Sequence, residues 1–121
     1  MSDYTIYHNP RCSKSRQTLQ LLRDNGVEPQ IVLYLEKPPS KATLKKLLTL
    51  LALKPRALLR KSEAVFKELD LQNEAMSDTA LIDALHQHPV LIERPIVIRS
   101  DKRGDAAVLG RPPENVLELL N

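Results

Sequence analysis

The residue best suited to covalent chemistry is Cys12, the single cysteine of a 121-residue chain. It follows the strand-like run Tyr4-Thr5-Ile6-Tyr7 and the loop His8-Asn9-Pro10-Arg11, and it stands just before a helical pattern. The first amides of a helix are unpaired donors and the dipole is positive there, so both favour thiolate over thiol. Arg11, Lys14 and Arg16 add positive charge nearby in sequence. Thiolate is the nucleophile, so this address predicts a depressed pKa and a reactive sulfur. The bland alternative is an inert buried cysteine, and the polar neighbours argue against it. Ser15 occupies the second position of the C-x-x-C spacing, so no internal disulfide can form. An adduct on Cys12 therefore needs an external thiol such as glutathione to resolve it.

A helix start is also an anion site. Thiolate and oxyanion repel one another, so turnover on an anion calls for further cations, preferably arginines with their planar forks. Arg60, Arg94 and Arg111 each stand at an element boundary, where a side chain can reach a shared pocket. Spacing alone leaves them open between oxyanion ligands and surface arginines, whereas Arg23, Arg56, Arg99 and Arg103 read as solvated. His8 lies four residues before Cys12. It is open between a catalytic role, supporting the thiolate or moving a proton, and a role in shaping the loop. His86 and His88 point to different faces of a helix, so a shared metal is not expected.

The elements that must position these residues are legible in the pattern. A helix is predicted from about Ser13 to Asn25, stopped by Gly26, and Gln30–Tyr34 reads as a second, mostly buried strand. Ser40 caps a helix with Leu44, Leu47, Leu48 and Leu51 on one face. Short helical pieces are predicted over Pro55–Lys61 and Glu63–Leu69, and Ser77 or Asp78 opens a helix that ends before Pro89. Ile96–Arg99 and Ala106–Leu109 read as an antiparallel hairpin around a polar turn, Ser100–Asp105. Pro112-Pro113 starts a last helix with Val116, Leu117 and Leu120 inward. The order β-α-β, helices, β-β-α predicts an α/β fold, a mixed four-stranded sheet with helices packed on it.

Composition bounds the rest. Apolar residues make up 42% and charged residues 27%, as in a globule with one aliphatic core. The few aromatics, Tyr4, Tyr7, Tyr34 and Phe66, exclude a base-stacking platform, and a net charge of +3 does not call for nucleic acid. The longest apolar run, Leu47 to Leu53, is far short of a membrane span, and the N-terminus lacks a signal-peptide pattern. The expectation is a cytoplasmic monomer of one domain, residues 1–121, with no metal, no tightly bound cofactor and no membrane contact.

The segments Tyr7 to Arg16, Leu33 to Pro39, Arg56 to Lys61, His88 to Val97 and Gly110 to Glu114 together resemble the glutaredoxin-coupled arsenate reductase (ArsC) family, and His8-Asn9-Pro10-Arg11-Cys12-Ser13-Lys14-Ser15-Arg16 is especially similar to its YfgD-like branch. The resemblance runs over essentially the whole chain. It implies a thioredoxin-like fold with an inserted helical region, about residues 40–88. It implies that Cys12 attacks arsenate, that glutathione resolves the adduct, and that glutaredoxin clears the mixed disulfide. Arg60, Arg94 and Arg111 match the family's oxyanion-binding arginines, His8 matches a histidine near its cysteine, and Pro95 matches a cis-proline. Two other activities fit the same fold: a redox regulator that binds RNA polymerase, and a monothiol, glutathione-dependent oxidoreductase acting on protein disulfides. Ser15 removes the C-x-x-C sensor pair of the first, and the arginines favour a small oxyanion over the second.

Overall fold

The computed structural model describes residues 2–120. The chain forms two compact units, one of residues 1–37 with 94–121 and one of residues 38–93.

The first unit is built on a four-stranded sheet of order β2-β1-β3-β4. Strand β1 (Asp3–His8) pairs parallel with β2 (Gln30–Leu33) and antiparallel with β3 (Ile96–Asp101), which pairs antiparallel with β4 (Gly104–Leu109). Helix α1 (Ser13–Asp24) is the crossover that a parallel β1–β2 pair requires. Its inner face buries Ser15, Thr18, Leu19 and Leu22. Leu19 and Leu22 join Ile6, Val97, Val116 and Leu119 in one core cluster, each large aliphatic side chain contributing about 1.5–3 kcal/mol on burial. The register pairs His8 with Leu33, Tyr7 with Ile96 and Ile96 with Leu109, so β1, β2 and β4 end, and β3 begins, at one edge of the sheet. The loop carrying Cys12 leaves β1 at that edge.

Three expectations need correction here. Strand β2 is not mostly buried: it lies at the sheet margin with a neighbour on one side only, and Ile31 is 39% exposed. The hairpin turn is shorter than Ser100–Asp105, leaving Lys102-Arg103 between the strands. Asp101 Oδ1 accepts the Arg103 amide at 2.8 Å, and Gly104 takes φ +102°, a conformation that side chains disfavour. The last helix, Pro113–Leu120, is a 3-10 helix whose buried residues are Pro113, Val116 and Leu119. Side chains three apart eclipse in a 3-10 turn, which moves the inner face off Leu117, while Leu120 stays partly buried against the core. The Arg94–Pro95 peptide is cis as expected, and Arg111–Pro112 is cis as well.

The second unit is helical. Helix α2 (Lys41–Leu51) is capped by Ser40, whose Oγ accepts from the Thr43 amide, and α4 (Asp78–Gln87) by Ser77, which accepts from Ala80. Between them lie a 3-10 turn, Pro55–Leu58, and α3 (Ala64–Glu68), and a 3-10 turn at Pro89–Leu91 follows α4. Leu44, Leu47, Leu58, Leu81, Leu85 and Leu91 are buried here. A Leu59–Ile92 bridge, with Arg60 N–H donating to Leu91 at 2.7 Å and Glu93 N–H to Leu58 at 2.8 Å, ties the two 3-10 turns together.

Candidate active site

Cys12 is the N-cap of α1, with extended backbone angles, and its carbonyl accepts the first helical bond from Arg16 N–H at 3.0 Å. Its own amide donates back to Asn9 at 3.0 Å, so the loop closes on itself before the helix begins. The thiol is partly exposed. It does not close a full cap hydrogen bond. Burial pushes the thiol up, but the Ser15 and Lys14 amides and the Arg94 guanidinium, by charge and by hydrogen bonding, outweigh it and hold the pKa below the ordinary value of 9.0. The sequence reading of a helix-terminal, electropositive thiol is realised in this geometry, with Arg94 as the nearby charge.

Arg94 directly precedes the cis-proline, and its Nε is buried with no hydrogen-bond partner among the described residues. Arg111 follows β4, and its Nη1 lies 3.4 Å from the Arg94 carbonyl. Gly110 makes this approach possible. Its amide donates to Pro95 at 2.9 Å, and a Cβ there would come within 2.5 Å of Thr18 Oγ1 and 2.8 Å of Pro95 Cγ. Thr18 Oγ1 in turn donates to Lys14 in the first turn of α1. Cys12, Arg94 and Arg111 thus share one end of the sheet. Arg60 belongs to the helical unit, where its Nε lies 3.3 Å from Glu63 and its Nη1 3.4 Å from Glu93.

His8 Nδ1 lies 2.6 Å from Ser15 Oγ, which also accepts the Asn9 amide at 3.1 Å. Burial, and then the charges of Arg23 and Arg16, lower the imidazole pKa and favour the neutral ring. Ser15, completely buried, is a knot between β1, the loop and α1 that the sequence reading treated only as the residue replacing a second cysteine. The signal for it was position: Ser15 is the third helical residue, where a side chain faces back toward the preceding strand. Arg16 secures the loop from outside, donating to the Pro10 carbonyl at 2.8 Å. Arg99 corrects another expectation. It is not solvated, because Asp101 pairs with it at 3.1 Å and its Nη1 donates to Leu119.

A single cysteine at a helix N-terminus and a cis-proline before β3, on a mixed sheet of order β2-β1-β3-β4, define a thioredoxin-like fold. The ArsC family model matches residues 7–119, and the chain belongs to the ArsC family. It is 53% identical over 116 residues to the uncharacterized protein YfgD of Escherichia coli strain K12, covering 95% of this chain and 94% of that one. It is 47% identical over 120 residues to an arsenate reductase of Escherichia coli, covering 99% of this chain and 82% of the other. The solved arsenate reductase of Vibrio cholerae superposes with a TM-score of 0.90 at 50% identity, with 96% of each chain covered. Among the described residues, no helix is long and apolar enough to cross a membrane, and no group of three His, Cys, Asp or Glu residues is placed to hold a metal.

Proposed function

We infer that this chain reduces arsenate to arsenite through Cys12. The observation that carries the reading is the Cys12 thiol held at the start of α1 beside the Arg94 guanidinium. The likeness to named arsenate reductases supports the choice of oxyanion. In the first step the Cys12 thiolate attacks arsenic, a sulfur–arsenic bond forms, and an oxygen leaves as water after taking up protons. No electrons are transferred. Arg94 and Arg111 neutralise the oxyanion charge that would otherwise repel the thiolate. The family resemblance assigns Arg60 to oxyanion binding as well.

In the second step glutathione thiolate attacks Cys12 Sγ. The new sulfur–sulfur bond forms as the sulfur–arsenic bond breaks, and its electron pair reduces As(V) to As(III), which leaves as arsenite. Glutaredoxin then takes the glutathionyl group by thiol–disulfide exchange and regenerates Cys12. His8 acts on this chemistry through Ser15, whose amide is directed at the sulfur.

The test is an assay of purified protein with arsenate, glutathione, glutaredoxin and NADPH-linked glutathione reductase. Arsenate-dependent NADPH oxidation is expected, and Cys12→Ser abolishes it while arsenate still binds. Turnover by Cys12→Ser would end this reading.

A further inference from the structure

The first unit holds a cleft of about 290 Å³, lined by the loop residues His8 to Arg11 on one side and by Leu33, Leu35 and Glu36 at the end of β2 on the other. It runs up to the residue before Cys12. Leu33 and Leu35 give it apolar surface, with Leu35 42% exposed. Arg11 and Glu36 carry opposite charges on its lining, and neither side chain makes a hydrogen bond or ion pair with another described residue.

The flank matters. Arg94 stands before β3 and Arg111 after β4, so both oxyanion ligands lie on the β3–β4 side of β1, and the cleft lies on the β2 side. Displacement at sulfur runs with the attacking sulfur, the central Sγ and the leaving atom close to one line. With arsenic held toward Arg94 and Arg111, the attacking thiolate must come from the opposite flank, where the cleft opens.

We propose that this cleft is the binding site for the peptide part of the thiol donor, a small zwitterionic peptide thiol of the glutathione class. The pairing is chemical: Arg11 meets a terminal carboxylate, Glu36 meets the free ammonium, and Leu33 and Leu35 cover the peptide's methylenes. A simple neutral thiol would gain nothing from this arrangement. The proposal deepens, and rests on, the arsenate reductase reading, in which a thiol attacks the Cys12 adduct.

The test uses the reverse half of the same displacement, which needs no arsenate. Cys12 attacks a disulfide, one thiolate leaves, and the retained thiol occupies the donor's place. Intact-mass kinetics give the rate of Cys12 modification by oxidised glutathione and by bis(2-hydroxyethyl) disulfide, and their ratio corrects for any change in thiolate reactivity. The substitutions Arg11→Gln, Leu35→Ser and Glu36→Gln fall on exposed positions that no fold contact requires. Each is expected to lower the glutathione-to-hydroxyethyl ratio, by about fivefold for either charged position. In the arsenate assay the same variants raise the KM for glutathione and leave that for arsenate in place. A ratio unmoved by all three substitutions overturns the cleft, whatever the arsenate result. A ratio that falls as expected in a protein inactive on arsenate supports the cleft and removes the arsenate reading alone.

Discussion

At Cys12 two opposing effects meet: burial favours the thiol, while the Ser15 and Lys14 amides and the Arg94 guanidinium favour the thiolate, and the second set prevails. Removing Arg94 takes away a charge and a hydrogen bond together. Arg94→Ala is therefore expected to move the midpoint of the alkylation-rate profile up toward 9.0. Alkylation at pH 7 should slow severalfold as the thiolate fraction falls. An iodoacetamide rate profile measures this directly. His8 gives a second, independent expectation. Its folded-state pKa lies below the ordinary 6.5, so the folded protein binds this proton less readily than the unfolded chain. The contribution is complete above pH 6.5 and is lost as pH falls through the depressed folded value. Urea unfolding at pH 7.5 and pH 5.5 should show that loss, and His8→Gln should flatten it. Legibility at this scale was uneven. The electropositive address of Cys12 followed from sequence because helix termini carry their own field. The Ser15 knot did not, because it needs β1 and α1 already packed. Arg99 was misread as solvated because its partner Asp101 acquires its place from the hairpin turn.

Among the elements, the decisive contact is the close passage of the β4 end against α1 and Pro95. Gly110→Ala places a methyl group 2.5 Å from Thr18 Oγ1 and 2.8 Å from Pro95 Cγ, inside any allowed contact. It is expected to cost about 1–3 kcal/mol in denaturant unfolding, as overpacking does. It also displaces Arg111, so the KM for arsenate should rise even in the folded fraction. The helical unit offers a simpler case. Ser77→Ala leaves the Ala80 amide uncapped and should lower stability by about 1 kcal/mol. Helices α1, α2 and α4 and the succession of strands along the chain were legible because period and capping residues agree along each segment. The margin position of β2 was not, since a run of four apolar or polar residues carries no record of how many neighbours it will have. Nor was the 3-10 form of Pro113–Leu120, whose apolar residues fit a period of three and of 3.6 alike.

Across the whole molecule, a net charge of +3 draws anions only weakly, and in the proposed mechanism the local field of Arg94 and Arg111 supplies the rest. Added sodium chloride should therefore raise the KM for arsenate and change kcat little, as screening acts on encounter and binding before chemistry. The division into a sheet unit and a helical unit accords with a chain that leaves the sheet after β2 and returns at Arg94. Sequence read this inserted helical stretch as about 40–88, bounded by the Pro38-Pro39 breaker, and the compact helical unit spans residues 38–93. The central claim is that arsenic and glutathione meet on the Cys12 sulfur. A single turnover with arsenate and glutathione, glutaredoxin omitted, followed by intact-mass and peptide analysis, tests it most directly. The account predicts one glutathionyl group on Cys12 for each arsenite formed, and no such modification when arsenate is withheld. Arsenite formed with Cys12 unmodified, or glutathionylation at the same rate without arsenate, would contradict it.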